Sequence, residues 1–329
     1  MFDDYPANAF KMKTVNRNLD GMEQNSKPRH YQAWLLAARP RTLPLACASI
    51  LLGTGLAASV NAFNGAVLLL ALLTAIALQI LSNLANDYGD AASGADDQTR
   101  IGPVRAVSSG LLTPQAMRAG MVITAIVAAL LGLSLLLTAF GNQWGQIVTF
   151  LLLGAASLLA AVTYTVGLGG TPYGYRGLGD IAVFMFFGLL GVLGTYYLHV
   201  QQLSWLPLLP AAACGLLATA VLNVNNVRDI ESDARNGKIT LAVRLGRENA
   251  IHYHWALLGL ALLLTLIYLV VLPVPLIGWS CLLVAKPLTD AARTLRHTRD
   301  GETLTGMLKK TAISTLFYSM LLSVGLAFF

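Results

Sequence analysis

The sequence predicts an all-α membrane protein of nine transmembrane helices, with the N-terminus cytoplasmic and the C-terminus on the opposite side. Three observations carry this. Only 38 of 329 residues are charged, 12% of the chain, where an ordinary soluble domain carries about 25%. Hydrophobic residues make up 56%, and the mean hydropathy is strongly positive. The charges are also clustered, leaving residues 42–86, 119–175, 181–227, 249–285 and 311–329 free of Asp, Glu, Lys and Arg. This composition excludes a disordered or nucleic-acid-binding chain and argues against a soluble two-domain enzyme.

The elements follow in order. A membrane helix needs about 20 apolar residues. The five charge-free stretches hold 45, 57, 47, 37 and 19 residues, so the first four each fit two spans and a turn, and the last fits one. Turn-forming residues fall near the middle of each double stretch, at 60–65, 141–145, 201–205 and 272–275. The 37-residue stretch is the tightest fit. These runs do not alternate polar and apolar residues, so they read as helices and not as barrel strands. Residues 1–33 form a polar tail without a signal-peptide pattern, and 34–329 form one transmembrane domain. Trp34, Arg39 and Arg41 read as headgroup-level anchors before the first span. Cys47, Cys214 and Cys281 lie singly in apolar stretches, which suits neither a disulfide framework nor a zinc site.

With four short turns on one side, all 22 basic residues fall on the other, which the positive-inside rule makes the cytoplasm. The 16 acidic residues fall there too. Acids contribute little to orientation, so their placement points either to long inner loops or to a polar site at the membrane surface.

Motif spacing favours the site. Asn83, Asn86, Asp87 and Asp90, spaced 0, 3, 4 and 7 at the end of the second span, share one helix face. Asn225, Asn226, Asp229 and Asp233 do the same at the end of the sixth. Each stripe is followed by a loop with basic residues: Arg100 and Arg105 after the first, Lys238 and Arg244 after the second. A single DxxxD is most simply a solvated helix end, with Asp229 or Asp233 paired to Arg228 or Arg235. Two amide-flanked stripes, each with a basic loop, suit hard divalent cations such as Mg2+ holding a diphosphate. A third polar loop, residues 163–180, carries glycines and the aromatic Tyr164, Tyr173 and Tyr175, which suit stacking on a planar or cationic group.

On these motifs the chain resembles the UbiA superfamily of intramembrane aromatic prenyltransferases, and within it the branch acting on 1,4-dihydroxy-2-naphthoate. The resemblance runs from about Trp34 onward and rests on NLANDYGD (83–90), QTRIGPVR (98–105), PYGYRGLGD (172–180) and LNVNNVRDIESDARNGKITLAVRLG (222–246). One position departs: the third acid of the first motif falls at Gly94, and the nearest acids are Asp96 and Asp97.

The resemblance implies a helical bundle around a central cavity in the bacterial cytoplasmic (inner) membrane, capped by cytoplasmic loops and open sideways to lipid. It implies that Asp87, Asp90, Asp229 and Asp233 hold Mg2+ on a polyprenyl diphosphate. Arg105 and Lys238 then bind phosphate, and Asn83, Asn86 and Asn226 flank the substrates. The implied reaction prenylates dihydroxynaphthoate at its carboxylate-bearing carbon, with loss of carbon dioxide, to give a demethylmenaquinol. Tyr164 and Asp180 are candidates for taking the final proton. The rival readings are a prenyltransferase for 4-hydroxybenzoate or homogentisate, and a transporter with an acidic vestibule. The transporter fits less well because no span carries Asp, Glu, Lys or Arg at its middle.

Overall fold

A computed structural model describes residues 30–93, 104–166 and 171–328. The tail before His30 falls outside these residues, as do Gly94, Asp96, Asp97 and Arg100. Among the described residues there is no strand. The helices are α1 (His30–Ala38), α2 (Leu43–Ala58), α3 (Gly65–Ser93), α4 (Pro114–Phe140), α5 (Trp144–Thr163), α6 (Gly179–Val183), α7 (Gly194–Val200), α8 (Leu208–Arg228), α9 (Ile230–Arg235), α10 (Leu241–Val271), α11 (Ala285–His297) and α12 (Gly301–Ala327). Between α6 and α7 the helix widens into a π-helical segment, Phe184–Leu193. All four turns expected within the double stretches interrupt helices where the sequence places them.

Among the described residues, eight helical segments are long and apolar enough to cross a membrane. The remaining crossing expected from the sequence is different in kind. α10 extends to Val271 and uses most of its charge-free stretch. What remains is a nine-residue 3-10 helix, Leu276–Val284, which runs straight into the amphipathic α11. That helix buries Leu288, Ala291, Ala292 and Leu295 and exposes Lys286 and Arg293.

Burial separates two groups of helices. α8 is enclosed on nearly every side, its small residues Ala211, Ala213, Gly215 and Ala218 letting α10, α12 and the π-helical segment approach closely. By contrast α4 and α5 carry outward leucines and isoleucines, such as Ile123 at 62%, Leu130 at 61% and Leu152 at 67% exposure. An apolar face this extensive suits lipid. Side chains cap the starts of α4 and α12: Thr113 accepts from the Ala116 amide at 3.1 Å, and Asp300 accepts from the Thr303 amide at 2.7 Å.

Candidate active site

α2 to α5, the π-helical segment and α8 enclose a cavity of about 620 Å³. Most of its wall is apolar, and its polar lining gathers where α3 and α8 end. The last turns of α3 supply Asn83, Asn86 and Asp90, and those of α8 supply Asn225 and Asn226. Arg105, Tyr164 and Lys238 complete this rim.

Two glycines let the loops close over it. A Cβ on Gly89 would lie 2.6 Å from the Thr165 carbonyl oxygen, so only glycine allows the loop after α5 to cross α3 here. The Thr165 hydroxyl then donates to the Ala85 carbonyl at 3.1 Å and to Asn86 Oδ1 at 2.9 Å. Gly177 sits at φ 74°, a left-handed conformation that costs glycine little. It turns the chain after Tyr175, whose carbonyl accepts the Ile239 amide at 3.0 Å and ties this loop to the one carrying Lys238.

Asp90 is the hub. Its carboxylate accepts from Arg105 Nη2 at 2.6 Å and from the Tyr175 hydroxyl at 2.7 Å. Lys238 Nζ lies 3.7 Å from Asp233 Oδ1 and 5.5 Å from the centre of the Tyr175 ring. Burial pulls the Lys238 pKa down, but Asp90, Asp233, Tyr175 and Asp229 more than reverse this, and the net shift is upward. Acids from both stripes therefore act on one ammonium group. Tyr164 meets Tyr173 edge to face, with ring centres 5.3 Å apart. Burial, followed by the charges of Asp180 and its acidic neighbours, raises the Tyr164 pKa above the usual phenol value. Burial pushes Tyr173 up to about 12.

The structure divides the expected site residues into two sets. Asn83, Asn86, Asp90, Arg105, Tyr164, Asn226 and Lys238 line the cavity. Asp87 instead faces a smaller pocket of about 150 Å³ shared with Arg39, Arg41 and Arg105. It accepts from the backbone amides of Ala106 and Val107 at 2.9 and 3.0 Å. Asp229 is gripped by its neighbour, with Arg228 Nε to Oδ1 at 2.8 Å and Nη2 to Oδ2 at 2.6 Å. The second stripe is not one continuous helix, because the backbone leaves helical geometry at Asp229, between α8 and α9. Asp180 is buried behind the wall; the Tyr253 phenol lies beside it without closing a well-formed hydrogen bond. Among the described residues no three His, Cys, Asp or Glu side chains form a ready-made metal cluster.

Two contributors carried weaker sequence signals. Tyr175 was legible only as one of several loop aromatics, and Arg39 only as a headgroup anchor. Arg39 in fact lines both pockets, at φ 49°, just before Thr42, which accepts from Asn83 Nδ2 at 3.0 Å. The Arg-Pro-Arg-Thr run preceding a polar α3 face was the available signal.

The sequence signature of the UbiA prenyltransferase family matches residues 45–321. The chain belongs to this family. Among UbiA-family relatives, the 1,4-dihydroxy-2-naphthoate octaprenyltransferase of Escherichia coli (strain K12) is 48% identical over 90% of this chain and 95% of its own length. The enzyme of the same name from Mycobacterium tuberculosis is 41% identical over 91% of this chain and 98% of its own length. A UbiA homolog from Archaeoglobus fulgidus, solved bound to GPP and Mg2+, shares the fold with a TM-score of 0.62. It is 14% identical, over 88% of this chain and 99% of that chain. The same homolog solved with DMAPP and Mg2+ gives a TM-score of 0.61 at 14% identity, over 89% of this chain and 99% of that chain.

Proposed function

We propose that this protein transfers a polyprenyl group from polyprenyl diphosphate to 1,4-dihydroxy-2-naphthoate with loss of carbon dioxide, giving a demethylmenaquinol for menaquinone synthesis. The observation that carries this reading is the near full-length identity of 48% to an octaprenyltransferase for that acceptor. A cavity polar at one end and apolar along its length supports it, because the donor has the same division.

The donor set suits Mg2+. Carboxylates are hard oxygen ligands, and Asp90 and Asp233 already act together on one cation, the Lys238 ammonium. Asp90 and Asp233 would hold Mg2+ at the diphosphate, with Asp87 and Asp229 as the further acids of the same two motifs. The bound ion supplies charge neutralisation for the leaving diphosphate. Arg105 and Lys238 bind the phosphate oxygens, so the electron pair of the breaking allylic C–O bond passes to an oxygen already facing cations. The ring carbon bearing the carboxylate forms the new C–C bond. When carbon dioxide leaves, its bonding pair returns to the ring, so an ionised acceptor needs no net proton transfer. The aromatic pair Tyr164 and Tyr173 shields the allylic cation from water.

For topology we infer a ninth crossing made of Leu276–Val284 and α11, within a single domain covering 34–329 of the bacterial cytoplasmic membrane. The nine 3-10 residues rise about 18 Å at roughly 2.0 Å per residue, less than the roughly 30 Å of hydrocarbon, and the charged α11 continues from there to the cytoplasmic headgroups. This puts the N-terminus and the cavity's polar end at the cytoplasmic face.

The test is turnover by membranes containing the protein, given Mg2+, octaprenyl diphosphate and each acceptor in turn. Dihydroxynaphthoate is expected to be prenylated with release of carbon dioxide. Turnover only of 4-hydroxybenzoate or homogentisate would overturn the acceptor assignment.

A further inference from the structure

The polar rim accounts for little of the cavity wall. Along α5 the wall residues run from Phe150 to Ala161 and include Leu151, Leu153 and Ala155 beside Gly154, so they cover about half of the helix surface at 100° per residue. Gly154 lies in the middle of that face, opposite the outward Leu152 and Leu159, which are 67% and 57% exposed. On α4 the wall residues Ala128, Ala129, Gly132, Leu133, Leu135 and Leu136 likewise cover one broad side of the helix, with Gly132 near its centre.

Neither glycine has a packing reason to be there. A Cβ on Gly154 would meet nothing within 4 Å, and one on Gly132 would meet only Thr74 Cγ2, at 3.8 Å. Neither has positive φ. In a helix interior glycine is less stable than alanine, because it loses more backbone freedom on folding. What the two positions share is open space in front of them.

They also share a depth. Gly132 lies 8 residues before the end of α4 at Phe140, and Gly154 lies 10 after the start of α5 at Trp144. Both are therefore about 12–15 Å from the same turn. Tyr164, at the polar end, caps α5 ten residues beyond Gly154, about 15 Å further along. A donor with its diphosphate at Arg105 and Lys238 reaches this depth only with several isoprene units.

We propose that Gly132 and Gly154 form the recess that receives the isoprenoid tail beyond its first few units, and that their missing side chains set how long a donor is accepted. The inference rests on the prenyl-transfer reading and adds a determinant of donor length.

The experiment compares dimethylallyl, geranyl, farnesyl and octaprenyl diphosphate, with dihydroxynaphthoate as acceptor, for wild type, Gly154→Ala, Gly154→Leu, Gly154→Phe and Gly132→Phe. The readout is the ratio of kcat/KM for octaprenyl over dimethylallyl diphosphate. We expect Gly154→Phe and Gly132→Phe to lower this ratio ten-fold or more, Gly154→Leu to lower it less, and Gly154→Ala to stay within two-fold of wild type. An unchanged ratio in the phenylalanine and leucine variants, or an equal loss with every donor, overturns the inference. If a phenylalanine variant does not insert, Gly154→Leu still decides it, with Gly154→Ala as the size control. Failure of the wild type to prenylate dihydroxynaphthoate, with turnover of another acceptor, would overturn the acceptor assignment and leave the ratio test in force with that acceptor.

Discussion

Asp90 is where single side chains bear most on the chemistry. It takes one hydrogen bond from a cation and one from a phenol, so its orientation is fixed before any ligand arrives. Hydrogen bonds to charged groups are worth roughly 1.5–3 kcal/mol. Tyr175→Phe is therefore expected to slow prenyl transfer about 10- to 100-fold with the protein still membrane-inserted. Asp90→Asn is expected to cost more, and equal activity in both variants and wild type would refute the hub role. Lys238 gives a pH prediction. Its pKa is raised above the usual 10.5, so its contribution to stability is complete below about 10.4, the unfolded value. That contribution is lost only as pH rises through the higher folded value. Lys238 should accordingly add no break to the donor KM profile from about pH 6 to 9, and Lys238→Met should raise KM by a constant factor across that range. A break in the wild-type KM profile below pH 9, absent from Lys238→Met, would contradict this. At this scale the sequence was informative about residue type and less so about direction. Helical spacing placed Asp87 with Asp90, yet the two carboxylates face different pockets, because the amides of Ala106 and Val107 claim Asp87. No pattern local to α3 could reveal a partner that arrives 19 residues later.

Among the elements, the π-helical segment is the one that periodicity concealed. It is apolar throughout, like its neighbours, and π geometry has no hydropathy signature. Its location is decided by packing. The Ser49 hydroxyl donates to the Phe187 carbonyl at 2.5 Å, and Gly188 sits against α8, where an added Cβ would lie 2.7 Å from Gly215 Cα. Gly188→Val is expected to destabilise the protein by about 1–3 kcal/mol through overpacking, read as faster thermal inactivation in detergent. Inactivation at the wild-type rate would mean that the two helices can separate without cost. The stretch after α10 teaches the complementary lesson. Residue counting could fit two spans into 37 charge-free residues, but α10, which breaks from helical geometry at Gly246, takes up 23 of them, through Val271. The next segment is left with a tight 3-10 helix and an amphipathic one, whose charged face lies where hydropathy alone sees a loop.

For the whole molecule, orientation follows from where the charges sit. With the nine-crossing topology, a membrane-impermeant thiol reagent added to intact cells should label Asn142→Cys in the turn between α4 and α5. His297→Cys, at the end of α11, should react only after lysis. The reverse labelling would invert the molecule and place the polar rim outside. All-helical class, membrane insertion and UbiA-family membership were determined by the sequence itself. Each depends on quantities that survive without three-dimensional neighbours: the length of charge-free runs, the side on which charges accumulate, and motif order. The tertiary structure decided which acids meet around Lys238, that Asp180 lies behind the wall, and that two glycines on α4 and α5 open onto one cavity at a common depth. Those are properties of helices brought together from distant parts of the chain, where closeness is set by side-chain volume and loop closure and not by sequence spacing.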